Sequence, residues 1–167
     1  MIIEKKFSCD FTTSIQTNPY RGFKTDLKKA CSVSLRFLGT RAGRSLNKKN
    51  TGLLCVALVI CGNHKMRRLN DQHRKKRKTT DVLSFPQFTD WAEVSSFPQV
   101  YLGDIVICYD VWAKQARDHN ISLREEFFHL FFHGFLHLLD YDHERSQKDA
   151  KAMFKLENEL VKKAMRS

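Results

Sequence analysis

The sequence predicts an α/β or α+β fold built on a small sheet. Three observations carry this expectation. Apolar runs of strand length alternate with stretches of helical periodicity. The chain has 167 residues, enough for one domain over 1–167 that buries about 70% of the surface its unfolded form exposes. Its composition, 42% apolar and 28% charged, is that of a globular protein and argues against disorder. No internal repeat and no low-complexity linker interrupts it.

The elements follow in order. A strand is expected near residues 2–11. Residues 23–39 carry Phe23, Leu27, Ala30, Cys31, Ser34, Leu35 and Leu38 at helical spacing, with Asp26 as cap or opening residue and Gly39 as stop. Residues 51–61 (TGLLCVALVIC) form a buried strand closed by Gly62 and Asn63. Asn63 is placed to cap a short helix through His73, with Met66, Leu69 and Asn70 along one side. A basic loop holds Arg74, Lys75, Lys76, Arg77 and Lys78. Residues 81–85 (DVLSF) read as a strand stopped by Pro86, and 87–100 as a loop. Residues 103–109 (GDIVICY) give another strand, after which Asp110 is placed to cap a helix through about His119. Ser122 with Glu125 makes a capping box for a long apolar helix over about 123–139. Ser146 opens a last amphipathic helix through about Ala164.

Twenty-nine Lys and Arg against 18 Asp and Glu give a net charge of +11, which favours a polyanionic partner such as nucleic acid or an anionic membrane, nucleic acid being preferred over a merely solubilising basic surface. The longest apolar run, 53–61, falls short of the ~18 residues a membrane span requires, and the N-terminus has neither the basic-then-apolar pattern of a secretory leader nor the look of a transit peptide. A cytoplasmic protein with no membrane partner is expected. The five cysteines, Cys9, Cys31, Cys55, Cys61 and Cys108, are odd in number and show no C-x-x-C. Cys55, Cys61 and Cys108 lie in apolar runs and read as buried reduced thiols rather than zinc ligands.

Four of the seven histidines fall in one stretch: His129, His133, His137 and His143. On a helix, residues four apart share a face, so His133 and His137 can aim at one ion. His129 and His137 are separated by about 12 Å of helix rise, too far for one ion with metal–nitrogen bonds of ~2 Å. His129 is therefore an outer residue of the site or a core histidine, and the core reading is preferred. Asp140, Tyr141 and Asp142 form a polar break that can turn the chain and bring His143 back. Three neutral nitrogens with an open fourth position is the pattern of catalytic zinc. Such an ion lowers the pKa of a bound water and polarises a phosphoryl oxygen. Imidazole also suits nickel or copper. Asp142 or Asp140 is placed to fix an imidazole tautomer. The residue after His133 is Gly134, so the H-E-x-x-H motif of zinc proteases is absent.

The run His133-Gly134-Phe135-Leu136-His137-Leu138-Leu139-Asp140-Tyr141-Asp142-His143 resembles HGxLHLxGYDH, the signature of the YbeY family of bacterial endoribonucleases and rRNA maturation factors. Leu69-Asn70, Arg74 and Thr80-Asp81-Val82-Leu83-Ser84-Phe85-Pro86 resemble its N-x3-R…TDVLSFP block, and Leu102-Gly103-Asp104-Ile105 its LGDI strand. Asp140 stands where the family usually has Gly, Lys75 where Gly is frequent and Thr79 where Pro is frequent. The resemblance implies one α/β domain with a small mixed sheet and zinc held by His133, His137 and His143 in a cleft. It also implies metal-dependent cleavage of single-stranded RNA, in small-subunit rRNA 3′-end processing and ribosome quality control. The family's important arginine maps onto Arg74.

Residues 65–78 hold eight Lys and Arg against one acid, Asp71, a density that suits phosphate contacts. Arg74, Lys75, Lys76, Arg77 and Lys78 are thus the expected RNA-binding residues. Arg74 is expected to neutralise charge on the phosphoryl oxygens, with the nucleophile open between an activated water and the RNA 2′-OH. Asp142 and Glu144 are the candidate proton acceptors. Asp81 and Asp104 are expected to hold loops at strand ends, and Asn70 to brace the Arg74 loop. Phe85 and Tyr101 are read as core rather than base-stacking residues. The rival readings are a metallopeptidase and a non-catalytic rRNA-binding factor in ribosome assembly, with ribosomal or assembly proteins as further partners.

Overall fold

The computed structural model describes residues 6–13, 19–40, 53–88 and 99–167. Among these, four strands and five helices follow the expected order: β1 (Lys6–Thr13), α1 (Phe23–Leu38), β2 (Leu53–Cys61), α2 (Asn63–Arg74), β3 (Val82–Pro86), β4 (Gln99–Cys108), α3 (Tyr109–Asp118), α4 (Leu123–Leu138) and α5 (Gln147–Arg166). The sheet order is β1-β2-β4-β3. β1, β2 and β4 run parallel and β3 pairs antiparallel with β4, so the sheet is mixed. No described helix is long and apolar enough to cross a membrane.

β2 is covered on both faces, with Leu54, Val56, Leu58 and Ile60 in the main core and Cys61 and Val59 in a second cluster, which is why its sequence is continuously apolar rather than alternating. β4 starts at Gln99, earlier than the expected 103, and the remainder of the expected 87–100 loop, residues 89–98, lies outside the described residues. Its register against β2 slips between Cys55 and Ala57. Gly103 meets that irregularity with φ 133°, and a Cβ there would stand 2.1 Å from the Phe85 carbonyl oxygen. Only glycine fits such a backbone approach. The longer strand also corrects one expectation: Asp104 lies within β4, opposite Ala57 and Phe85, not at a strand end.

α4 runs through the core. Phe127, Phe128, Phe131, Phe132 and Phe135 are all fully buried, and with Phe23 and Trp112 they form most of the aromatic packing. The helix can lie this close to the sheet because of Gly134. A Cβ at Gly134 would stand 2.9 Å from Ile105 Cγ2 and 3.1 Å from Ser84 Oγ. Ser122 caps α4 as expected, accepting the Glu125 amide at 3.0 Å. Ser146 does the same for α5 through the Asp149 amide.

Two acidic residues act elsewhere than expected. Asp26 is no cap, since α1 starts at Phe23 after Gly22. Its buried carboxylate accepts from Arg124 Nε at 2.9 Å and the Tyr20 hydroxyl at 3.0 Å, tying α1 to α4. Asp110 lies in the first turn of α3, and its side chain instead accepts the Asn63 amide at 2.8 Å. Asp110 thereby caps α2, the role expected of Asn63. Cys55, Cys61 and Cys108 are buried thiols. Burial, followed by the neighbouring Cys108, pushes the Cys61 thiol up to about 11.

Candidate functional site

α4 carries His133 and His137 on successive turns of one face. The helix then ends in a Schellman turn: the Tyr141 amide donates to the Leu136 carbonyl and the Asp140 amide to the His137 carbonyl. Asp140 takes the left-handed conformation this turn requires, with φ 64°. The reversal returns His143 to its two partners. One nitrogen from each of the three rings lies within 4.8 Å of the others. His133 Nε2 and His137 Nε2 are 3.2 Å apart. Tetrahedral zinc with bonds of ~2.0–2.1 Å spaces its nitrogens about 3.3 Å apart, so this pair fits a shared cation. Burial, then the facing His133 and His143, hold His137 down to about 4, keeping its lone pair available at neutral pH.

The spacing of the histidines does not reveal what holds them. Glu157, on the buried stripe of α5, places Oε2 2.9 Å from His133 Nδ1 and Oε1 2.9 Å from His129 Nδ1. An ionised carboxylate accepts both ring N–H groups, which leaves His133 Nε2 to face the site. Burial raises the Glu157 pKa, but the hydrogen bonds and charge of the two histidines prevail and bring it below the ordinary value. The same hydrogen bond raises His129. His129 is therefore not the core histidine expected. Its side chain is 29% exposed and it grips the far oxygen of Glu157. The available signal was one acid, Glu157, among the apolar residues Met153, Leu160, Val161 and Ala164 that α5 buries. Asp140 and Asp142, expected as tautomer-fixing acids, instead pair with Arg145. Asp142 Oδ1 also accepts the Glu144 amide at 2.8 Å, and this bond holds its carboxyl below the ordinary value.

The histidines and the basic loop share a cavity of about 430 Å³. Arg74, Lys76 and Lys78 line it together with the three histidines, Asp142 and Glu144. Asn70 is buried and its side-chain amide donates to the Lys78 carbonyl at 2.7 Å, the brace expected of it. Lys75 caps α2 in the left-handed conformation, φ 56°, outside the cavity lining. Arg77 pairs with Asp71 at 3.6 Å and lines a neighbouring groove with Arg67 and His64. Asp81 secures the entry to β3, accepting the Val82 amide at 2.8 Å and the Gln115 side-chain amide at 2.9 Å. Phe85 packs edge-on against His73.

A family model described as Endoribonuclease YbeY matches residues 23–165. The chain belongs to that family. Relatives named Endoribonuclease YbeY include one from Sulfurihydrogenibium sp. (strain YO3AOP1), 36% identical over 131 residues that cover 78% of this chain and 84% of the relative. Another, from Leptospira interrogans, is 40% identical over 64% of this chain and 84% of its own. The solution structure of TM1509 from Thermotoga maritima shares the fold, with a TM-score of 0.61 at 22% identity over 94% of this chain and 89% of that one. Both departures from the YbeY signature that replace glycine, Lys75 and Asp140, occupy left-handed backbone. The loop geometry thus persists without the residue that adopts it at least cost.

Proposed function

We propose that the protein is a metal-dependent endoribonuclease that cuts single-stranded RNA in the cytoplasm, in maturation of the small-subunit rRNA 3′ end and ribosome quality control. The observation that carries this reading is one cavity lined both by three converging imidazoles and by Arg74, Lys76 and Lys78. His133, His137 and His143 would hold the cation. Zinc suits three neutral nitrogens with an open position, and nickel shares the preference for imidazole. When bound, the ion supplies Lewis-acid polarisation of the phosphodiester and an activated water.

The chain's own residues do the rest. Lys76 and Lys78 attract and seat the backbone phosphates without reading sequence. Arg74 offers a planar fork of donors to the non-bridging oxygens and meets the charge that grows on them during displacement. Asp142 and Glu144 line the cavity as proton acceptors, Asp142 with one oxygen already committed to the Glu144 amide. The overall charge of +11 draws the polyanion in.

Elemental analysis of the purified protein, followed by RNA digestion with and without chelator, tests the proposal. It expects one metal per chain and cleavage that chelation stops. His137→Ala should lose metal and cleavage together, whereas Arg74→Glu should keep the metal and lose cleavage. Protein without stoichiometric metal would overturn the mechanism. Binding of rRNA that survives His137→Ala, with no cleavage by wild type, would establish a non-catalytic assembly factor instead.

A further inference from the structure

Phe154 is the one large hydrophobic side chain that is exposed among the described residues, at 46% of its surface. It sits on the outer face of α5, whose neighbours Lys151, Lys155 and Asn158 are all exposed and polar. A phenyl ring in that company forgoes the burial that normally places it in a core. Its position is not arbitrary. The ring stacks on the imidazole of His143, centroids 5.7 Å apart and planes 22° from parallel. His143 in turn lies 5.2 Å from His133 and 5.3 Å from His137, ring centre to ring centre. The exposed aromatic therefore lies one ring beyond the candidate metal ligands. It does not line the cavity between the histidines and the basic loop, and so continues the site past His143. Lys151 precedes it by three residues, which places a cation beside the ring on the same helix face.

We propose that Phe154 is a stacking platform for one nucleobase of the single-stranded substrate, next to the bond that is cut, with Lys151 meeting the adjoining phosphate. This rests on the endoribonuclease reading above and adds a grip beyond His143, outside the cavity that Arg74 lines. Unpaired bases offer an open face, and stacking on an aromatic side chain tolerates any base. A base-paired strand cannot present that face, so Phe154 also contributes to the choice of single-stranded RNA.

The test compares wild type with Phe154→Leu and Phe154→Trp, each zinc-loaded, on a single-stranded RNA oligonucleotide. Zinc content and melting temperature are measured beside kcat and KM. Phe154→Leu should raise KM by roughly 5- to 100-fold, the size of one lost base stack, with kcat and zinc content held. Phe154→Trp should restore KM. An abasic residue at one position beside the cleaved bond should raise the wild-type KM to the same extent and add nothing in Phe154→Leu. A wild-type KM in Phe154→Leu, or abasic and side-chain losses that add, would overturn the proposal while leaving the nuclease intact. Loss of zinc at unchanged KM would also overturn it, because the ring would then serve only His143. Wild-type protein that neither binds nor cuts the oligonucleotide would overturn the endoribonuclease reading itself.

Discussion

Replacing Glu157 by Gln changes one atom type and removes one charge, yet it should disarm the candidate metal site. The carboxylate accepts an N–H from His133 on one oxygen and from His129 on the other, both at 2.9 Å. Gln keeps the shape but offers one acceptor and one donor. Its amide N–H2 must face an imidazole Nδ1–H, so one of the two rings has to change tautomer or turn away. If His133 yields, its Nε2 carries the proton and can no longer ligate. Carboxylate partners of metal-bound histidines are worth 10–100-fold in metal affinity, about 1.4–2.7 kcal/mol at 1.36 kcal/mol per decade. Competition with a chromophoric zinc chelator would measure this directly, and ¹⁵N shifts of the His133 ring would report the tautomer. The metal-free variant should still melt cooperatively, because the apolar face of α5 is untouched. His129→Ala should weaken metal less than Glu157→Gln, since Glu157 keeps its bond to His133. A Glu157→Gln variant that binds zinc within about twofold of wild type, with His133 still protonated on Nδ1, would refute the reasoning.

Other outcomes follow from the same geometry. Gly134→Ala drives a methyl to within 2.9 Å of Ile105 Cγ2, and the helix or the sheet must give way. A loss of about 1–3 kcal/mol is expected, read by chemical denaturation, with weaker metal binding as His133 shifts. Lys75→Gly relieves a left-handed lysine and should stabilise the fold by up to ~1 kcal/mol, with little change in RNA affinity because Lys75 does not line the cavity. In the metal-free protein the His137 contribution should cost stability as pH falls. Unfolded His137 takes up its proton near the ordinary value of 6.5, whereas folded His137 does so only near 4, so the unfolded state binds more protons between the two. Thermal melts of chelated protein across that window, compared with His137→Ala, measure the contribution.

Local chemistry in this chain is legible from its residue order. The 133/137 pair shares a face because of helix pitch, Ser122 and Ser146 cap the helices they precede, and the apolar run 53–61 forms an inner strand. The basic loop could be read as a phosphate contact, but its sequence does not say that Arg74, Lys76 and Lys78 face one cavity while Arg77 faces another. What stays hidden is non-local. Glu157 meets His133 and His129 across 24 and 28 residues, and Asp110 caps a helix that begins 47 residues earlier. Asp26 reads as a helix cap because acids cluster at helix starts, but its ion pair lies with Arg124, 98 residues on. The length of β4 also eluded the pattern, since Gly103 at its bulge looks like a strand boundary.

The three nitrogen donors are not held alike. Two stand on the most deeply packed helix of the protein, locked over Ile105 by a glycine contact, and the third hangs from the turn that follows. A substitution beneath the helix would therefore displace His133 and His137 together, whereas one at Asp140 or Arg145 would displace His143 alone.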